Sequence, residues 1–232
     1  MVAEVSSNEF VLTERGGQAV QPDMCRGRVW CKINGHSRGT RGLTWTSSPM
    51  KRITAADIEQ MRANGYDRST IAEAESRLNE CRRADELIDL VRRAFAGVEL
   101  DDGIGLRESD GIDDYAGLEE LARLRTTDEK HDWQKIPADE LNYCNAAPSF
   151  LDAKGMRFHT PAFLVAELRG EFDQDFIGRL IDGSYSATDF PRLLTNDQCA
   201  AIIECIRFYG SIMNHRYESD RIDAAVKSFR RA

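Results

Sequence analysis

Residues 133–169 read WQKIPADELNYCNAAPSFLDAKGMRFHTPAFLVAELR, and turn chemistry, aromatic alternation and a helix start coincide in them. Asp152-Ala153-Lys154-Gly155 places Asp at the first and Gly at the fourth position of a type I turn, where a left-handed glycine can close a bulged hairpin. The arms of that hairpin are then residues 149–151 and 156–158. Phe150, Met156 and Phe158 fall on one face and Arg157 on the other. Thr160 followed by Pro161 has the form of an N-cap and a first-turn proline, which predicts a helix through Phe163, Leu164 and Leu168 to Gly170. In this reading Asp152 and Gly155 make the turn, Phe150 and Phe158 fill the core and Pro161 opens the helix. Trp133 is read first as a core residue and second as a contact residue.

The chain has 232 residues, of which 41% are apolar, enough for one substantial core. No apolar run approaches the roughly 20 residues of a membrane helix, and the first residues lack the basic start and apolar stretch of a signal peptide. The expectation is a cytoplasmic protein with no membrane contact. Six scattered cysteines form no CxxC, which fits reduced thiols better than a disulfide framework.

Residues 1–50 differ in kind from the rest. They mix Arg, Gly and Ser with Trp30 and Trp45 and show no period of 2 or 3.6, so they read as a disordered segment, or as upstream sequence before a start at Met50. Stacking of the two tryptophans on single-stranded nucleic acid lacks any recognisable module. Cys25, Cys31 and His36 lack a fourth ligand at a zinc-ribbon spacing. No cofactor is therefore expected.

From Thr54 onward the pattern is helical. Thr54 and Asp57 form a cap with an acid in the first turn, and a second helix begins near Asp67 or Ser69 and continues or restarts near Asp85. Residues 98–132 form an acidic connection with one helix at about 116–124. In residues 101–133, eleven acids face four bases. That excess excludes nucleic acid as a partner of the main body and points to a basic protein. The candidate binding residues are Asp113, Asp114, Tyr115, Glu119 and Glu120, with Arg157 as an anion contact or, more simply, a structural ion pair with Asp152 or an acid of residues 101–132. Toward the C-terminus, Thr195 and Gln198 make a capping box before a broad apolar stripe, and Ser219 precedes a final amphipathic helix.

With AFAGVELDDGIGL, the IDDYA run, DEKHDW and FLDAKGMRFHTPAFL in view, residues 84–213 resemble an uncharacterised domain-of-unknown-function family of bacterial proteins. Its most specific motif, F-D-x-x-G-x-R-F-x-x-P-A, is matched by Phe150, Asp152, Gly155, Arg157, Phe158, Pro161 and Ala162. The resemblance implies no activity, substrate or cofactor, and residues 1–50 have no counterpart in it.

The expected architecture is a mainly α domain over residues 51–232 carrying one small β-hairpin at 149–158. Two functions compete. One is a non-enzymatic interaction module of the immunity or antitoxin kind, acting through its acidic surface; the other is a small hydrolase or metal-dependent enzyme using the acidic loop with His131 and His159. The absence of a nucleophile motif favours the first.

Overall fold

The computed structural model describes residues 52–213 and 216–230. The expected disorder of residues 1–50 therefore lies outside the described residues, as do Cys25, Cys31 and His36. Asp152 is where structure and sequence reading part. It does not open a hairpin turn. It is the N-cap of a 16-residue helix, α6 (Ala153–Leu168), and its Oδ1 accepts from the Gly155 amide at 2.8 Å. Asp-x-x-Gly serves a type I turn and a helix N-terminus equally well, since both put the Asp oxygen over the amide three residues on. The same Oδ1 accepts from the Ile104 amide at 2.9 Å, a contact 48 residues away that decides between them. Among the described residues there is no strand.

Gly155 also has another reason than the one expected. Its φ is not positive; a Cβ there would overlap the Ile104 carbonyl oxygen, so glycine lets the loop backbone lie against α6. Pro161 lies inside α6 rather than at its start, and Thr160 is a buried mid-helix residue whose Oγ1 has no hydrogen-bond partner among the described residues. An interior proline costs a helix about 3 kcal/mol, and here packing on all sides offsets it. Thirteen of the 16 residues of α6 are buried, Phe158, Phe163, Leu164 and Leu168 completely. A helix buried all round shows no stripe, so the alternation of Phe150, Met156 and Phe158 reported burial without reporting strand. Phe150 itself is half-buried just before the cap.

The other elements surround α6. α1 (Ala55–Ala63) begins at the Thr54–Asp57 capping box and leans on α2 (Arg68–Ala94), a single helix capped by Asp67. α2 buries Cys81, Ala84, Leu87, Ile88 and Val91 and packs on α6 and α8 (Asn196–Ile212), whose capping box is Thr195–Gln198. α3 (Leu106–Asp113) and α4 (Leu118–Arg125) pack on each other, and a 3-10 turn at Trp133–Lys135 leads into α5 (Ala138–Tyr143) beside α6. The short helix α7 (Phe176–Asp182) ends at left-handed Gly183, and α9 (Ser219–Arg230) lies on α7 and α8. Phe163 stacks on Phe176 at 4.8 Å and meets Phe172 edge-on at 5.2 Å. Each such buried ring contributes roughly 1.5–3 kcal/mol by leaving water. Trp133 belongs to this core, 3% exposed, with Nε1 donating to the Phe95 carbonyl oxygen at 2.9 Å. No helix among the described residues is long and apolar enough to cross a membrane.

Candidate protein-binding surface

The α3–α4 hairpin is built so that its base is fixed and its tip is bare. The amides of Arg107 and Glu108, free donors at the start of α3, reach the carboxylate of Asp128 beyond the end of α4 at 2.7 and 3.3 Å. Burial of Asp128 outweighs those two bonds and lifts its carboxyl above the usual aspartate range. Glu108 and Arg125 join the two helices at 2.7 Å, and Arg107 reaches Glu140 at 2.9 Å with its guanidinium over the Tyr143 ring. Gly111 lets α3 approach α4, since a Cβ would press on Leu121 and Leu124.

At the tip the chain turns through Asp114, Tyr115, Ala116 and Gly117. Tyr115 has φ +57°, a conformation that side-chain-bearing residues rarely adopt, and 96% of it is exposed. Leu118, the first residue of α4, is 87% exposed. Acids flank both: Asp113 and Asp114 before the turn, Glu119 and Glu120 after it. Glu120 is engaged by Arg123 at 2.6 and 2.8 Å on the same helix, which holds its carboxyl below the ordinary range. Arg107, Arg123 and Arg125, three of the four bases of this region, are thus committed to ion pairs within the protein.

The remaining sequence candidates lie apart from this tip. Among the described residues Arg157 has no ion pair and its buried Nε no hydrogen-bond partner, contrary to the structural pair expected with Asp152 or an acid of residues 101–132. Asp152 is occupied instead with capping α6. His131 is exposed, 3.7 Å from Glu99, whereas His159 is buried in α6 with Nδ1 against the Gly155 carbonyl oxygen at 2.8 Å. Burial holds the His159 imidazole down at about 4, so it is neutral at physiological pH. Neither histidine pairs with Asp113 or Asp114. Among the described residues no three His, Cys, Asp or Glu side chains are grouped to hold a metal ion. Cys144 and Cys205 are buried thiols pushed up to about 12.

Sequence reasoning missed a polar network around the start of α7. Glu167, fully buried in α6, accepts from the Ile177 amide at 2.8 Å, and burial with Asp175 nearby raises its carboxyl to about 8. Asp175 caps α7 and accepts from the hydroxyls of Tyr209 at 2.7 Å and Tyr217 at 2.9 Å, with Arg216 at 3.0 Å. The one local signal was an acid inside an apolar run, LVAEL. Its partners are distant in sequence, and the network ties α6, α7 and α8 together.

No curated protein and no solved structure matches the chain. The model of one family does, over residues 83–231, a span that takes in α3 through α9 and the C-terminal part of α2. The chain belongs to that family, DUF6714, a family of unknown function.

Proposed function

We propose that the protein is a non-enzymatic interaction module of the cytoplasm, of the immunity or antitoxin kind, that captures a basic protein partner on the tip of its α3–α4 hairpin. The observation that supports this most is the pairing of Tyr115 and Leu118, 96% and 87% exposed, in the middle of an acidic tip. An exposed aromatic and an aliphatic side chain held on a fixed turn supply buried anchors, and surrounding acids speed encounter and select for positive charge. Tyrosine is also a rigid anchor, with little rotamer freedom to lose on binding.

The test is affinity capture from the native host with the full chain and with a Tyr115→Ala/Leu118→Ala variant, followed by association kinetics on the captured protein. A basic protein retained by the parent and lost by the variant is the expected result. Neutralising Asp114 and Glu119 should then slow association and flatten its dependence on salt, with dissociation little changed. Equal capture by parent and variant would move the interface away from this tip.

A further inference from the structure

At the corner where α6, α7 and α8 meet, the hydrogen-bond donors can be counted. Tyr209 has one hydroxyl proton, and it goes to Asp175 at 2.7 Å. Asp175 also accepts from the Gly178 amide at 2.7 Å and from the Tyr217 hydroxyl at 2.9 Å, with the Arg216 guanidinium at 3.0 Å. Four donors, one of them a cation, hold it as an ionised carboxylate. Glu167, 0% exposed, accepts from the Ile177 amide at 2.8 Å and lies against the same Tyr209 hydroxyl. That hydroxyl has already given its proton to Asp175, so the Glu167 carboxyl completes the chain as a donor, which requires a proton on it. Two charged carboxylates at the head of one short helix, out of water, would also repel each other.

The titratable groups packed around Glu167 are themselves acids: Asp175 from the head of α7, and Tyr209 and the Cys205 thiol from α8. Burial keeps the tyrosine and the thiol protonated. On the other elements that pack on α6, Arg83 of α2, Lys135, Asp139 and Arg192 are exposed, and Glu140 is taken up by Arg107.

We propose that this corner is a proton-controlled latch: with its proton Glu167 fixes Tyr209 on Asp175, and Asp175 in turn holds α7 and, through Tyr217 and Arg216, the start of α9. Without that proton the two carboxylates repel, and Asp175 is the one that moves. Glu167 is fixed within α6, whereas the side chain of Asp175 is 24% exposed on a groove lined by Arg179, Arg216 and Arg221 and has water to turn to. α7 and α9 then loosen while α2, α6 and α8 stay packed. Three buried residues in α9, against ten in α8 and 13 in α6, make this corner the first to open. The latch shares no residue with the α3–α4 tip, so it stands whether or not that tip binds a protein.

The test is a titration of the methyl-labelled full-length protein from about pH 6 to about pH 9.5, read in its ¹³C methyl spectrum. The methyl signals of Ile177, Ala225 and Val226 should shift along one curve with a midpoint at about 8, while those of Leu87 in α2 and Leu121 in α4 stay in place. Glu167→Gln keeps an acceptor for the Ile177 amide and carries a permanent donor for Tyr209, so it should abolish all three shifts. Tyr217→Phe keeps the ring and removes the bond to Asp175: Ile177 should still titrate, and Ala225 and Val226 should no longer follow it. A buried acid that merely affects its own surroundings would not show that separation. A parent protein whose Ala225 and Val226 signals do not titrate would overturn the latch, as would signals that still titrate in Glu167→Gln or that follow Ile177 in Tyr217→Phe. Equal shifts of Leu87 and Leu121 would overturn it too, since the whole fold would then be loosening.

Discussion

Helix α6 and the α3–α4 hairpin are opposite solutions for a stretch without a clean amphipathic stripe. In α6, 13 of 16 residues are buried and an acid, a histidine and a proline are carried inside. In α4 none of the eight residues is buried, and an exposed tyrosine in a left-handed turn stands just before it. α6 derives its stability from every side at once and tolerates irregular residues because its neighbours hold them. The hairpin is held at its base by Asp128 and the Glu108–Arg125 pair, and at its tip Tyr115 and Leu118 are exposed. What is unusual in α6 therefore concerns folding, and what is unusual in the tip is what the proposed function rests on.

The contrast can be broken most directly in α6. Phe158→Ala removes a completely buried ring and should cost about 3–5 kcal/mol, read as a lowered urea midpoint at unchanged slope. A loss below about 1 kcal/mol would mean that α6 is not the centre of the core.

Glu167 gives the next effect, one that depends on pH. Its carboxyl is raised from the ordinary 4.5 to about 8, so the native state keeps a proton that the unfolded chain releases. Its contribution is whole below about pH 4.5, declines as the unfolded chain ionises and is lost as pH passes about 8. Glu167→Gln should keep the bond from the Ile177 amide and flatten that decline, a difference of a few kcal/mol between pH 5 and pH 9 in parallel urea titrations. His159, held down at about 4, works at the other end: its contribution is present above the ordinary 6.5 and is lost as pH falls toward 4. A parent protein whose stability does not change from pH 5 to 9 would contradict the account of Glu167.

Gly155→Val should cost roughly 1–3 kcal/mol by forcing the Ile104 carbonyl off α6, with the thermal midpoint as readout. Gly155→Ala separates the two explanations of this glycine. A positive φ would make alanine and valine similarly harmful; crowding makes the smaller side chain the less harmful.

The smallest effect belongs to the tip. Tyr115→Gly should leave the thermal midpoint unchanged or raise it, because glycine adopts φ +57° without the cost of up to about 1 kcal/mol that tyrosine bears. Any partner should be weakened all the same. A variant both less stable and equally competent to bind would erase the distinction between the two regions.

Features fixed within one helical turn were legible in the sequence. The Thr54 and Thr195 capping boxes and the Asp67 cap need only residues three or four apart, and the structure has each of them. The hairpin at 149–158 was misread because Asp-x-x-Gly is locally degenerate and the contact that resolves it comes from Ile104. α3 was missed because Gly111 and three acids in LRESDGID look like a loop, whereas packing on Leu121 and Leu124 makes them a helix. The exposure of Tyr115 could be suspected from its acidic context, but its left-handed turn could not.

Asp128 has a consequence for how such a protein can change. By bonding the amides of Arg107 and Glu108 it brings the exit of the hairpin back to its entrance, so residues 106–128 form an excursion whose ends meet. Insertions and substitutions at its tip do not alter the distance the rest of the chain must span. The tip is thus an exchangeable blade on a fixed handle. Its sequence can be rewritten while α2, α6 and α8 keep the same core, and a grafted tip retaining Gly105 and Asp128 should fold on the parent body.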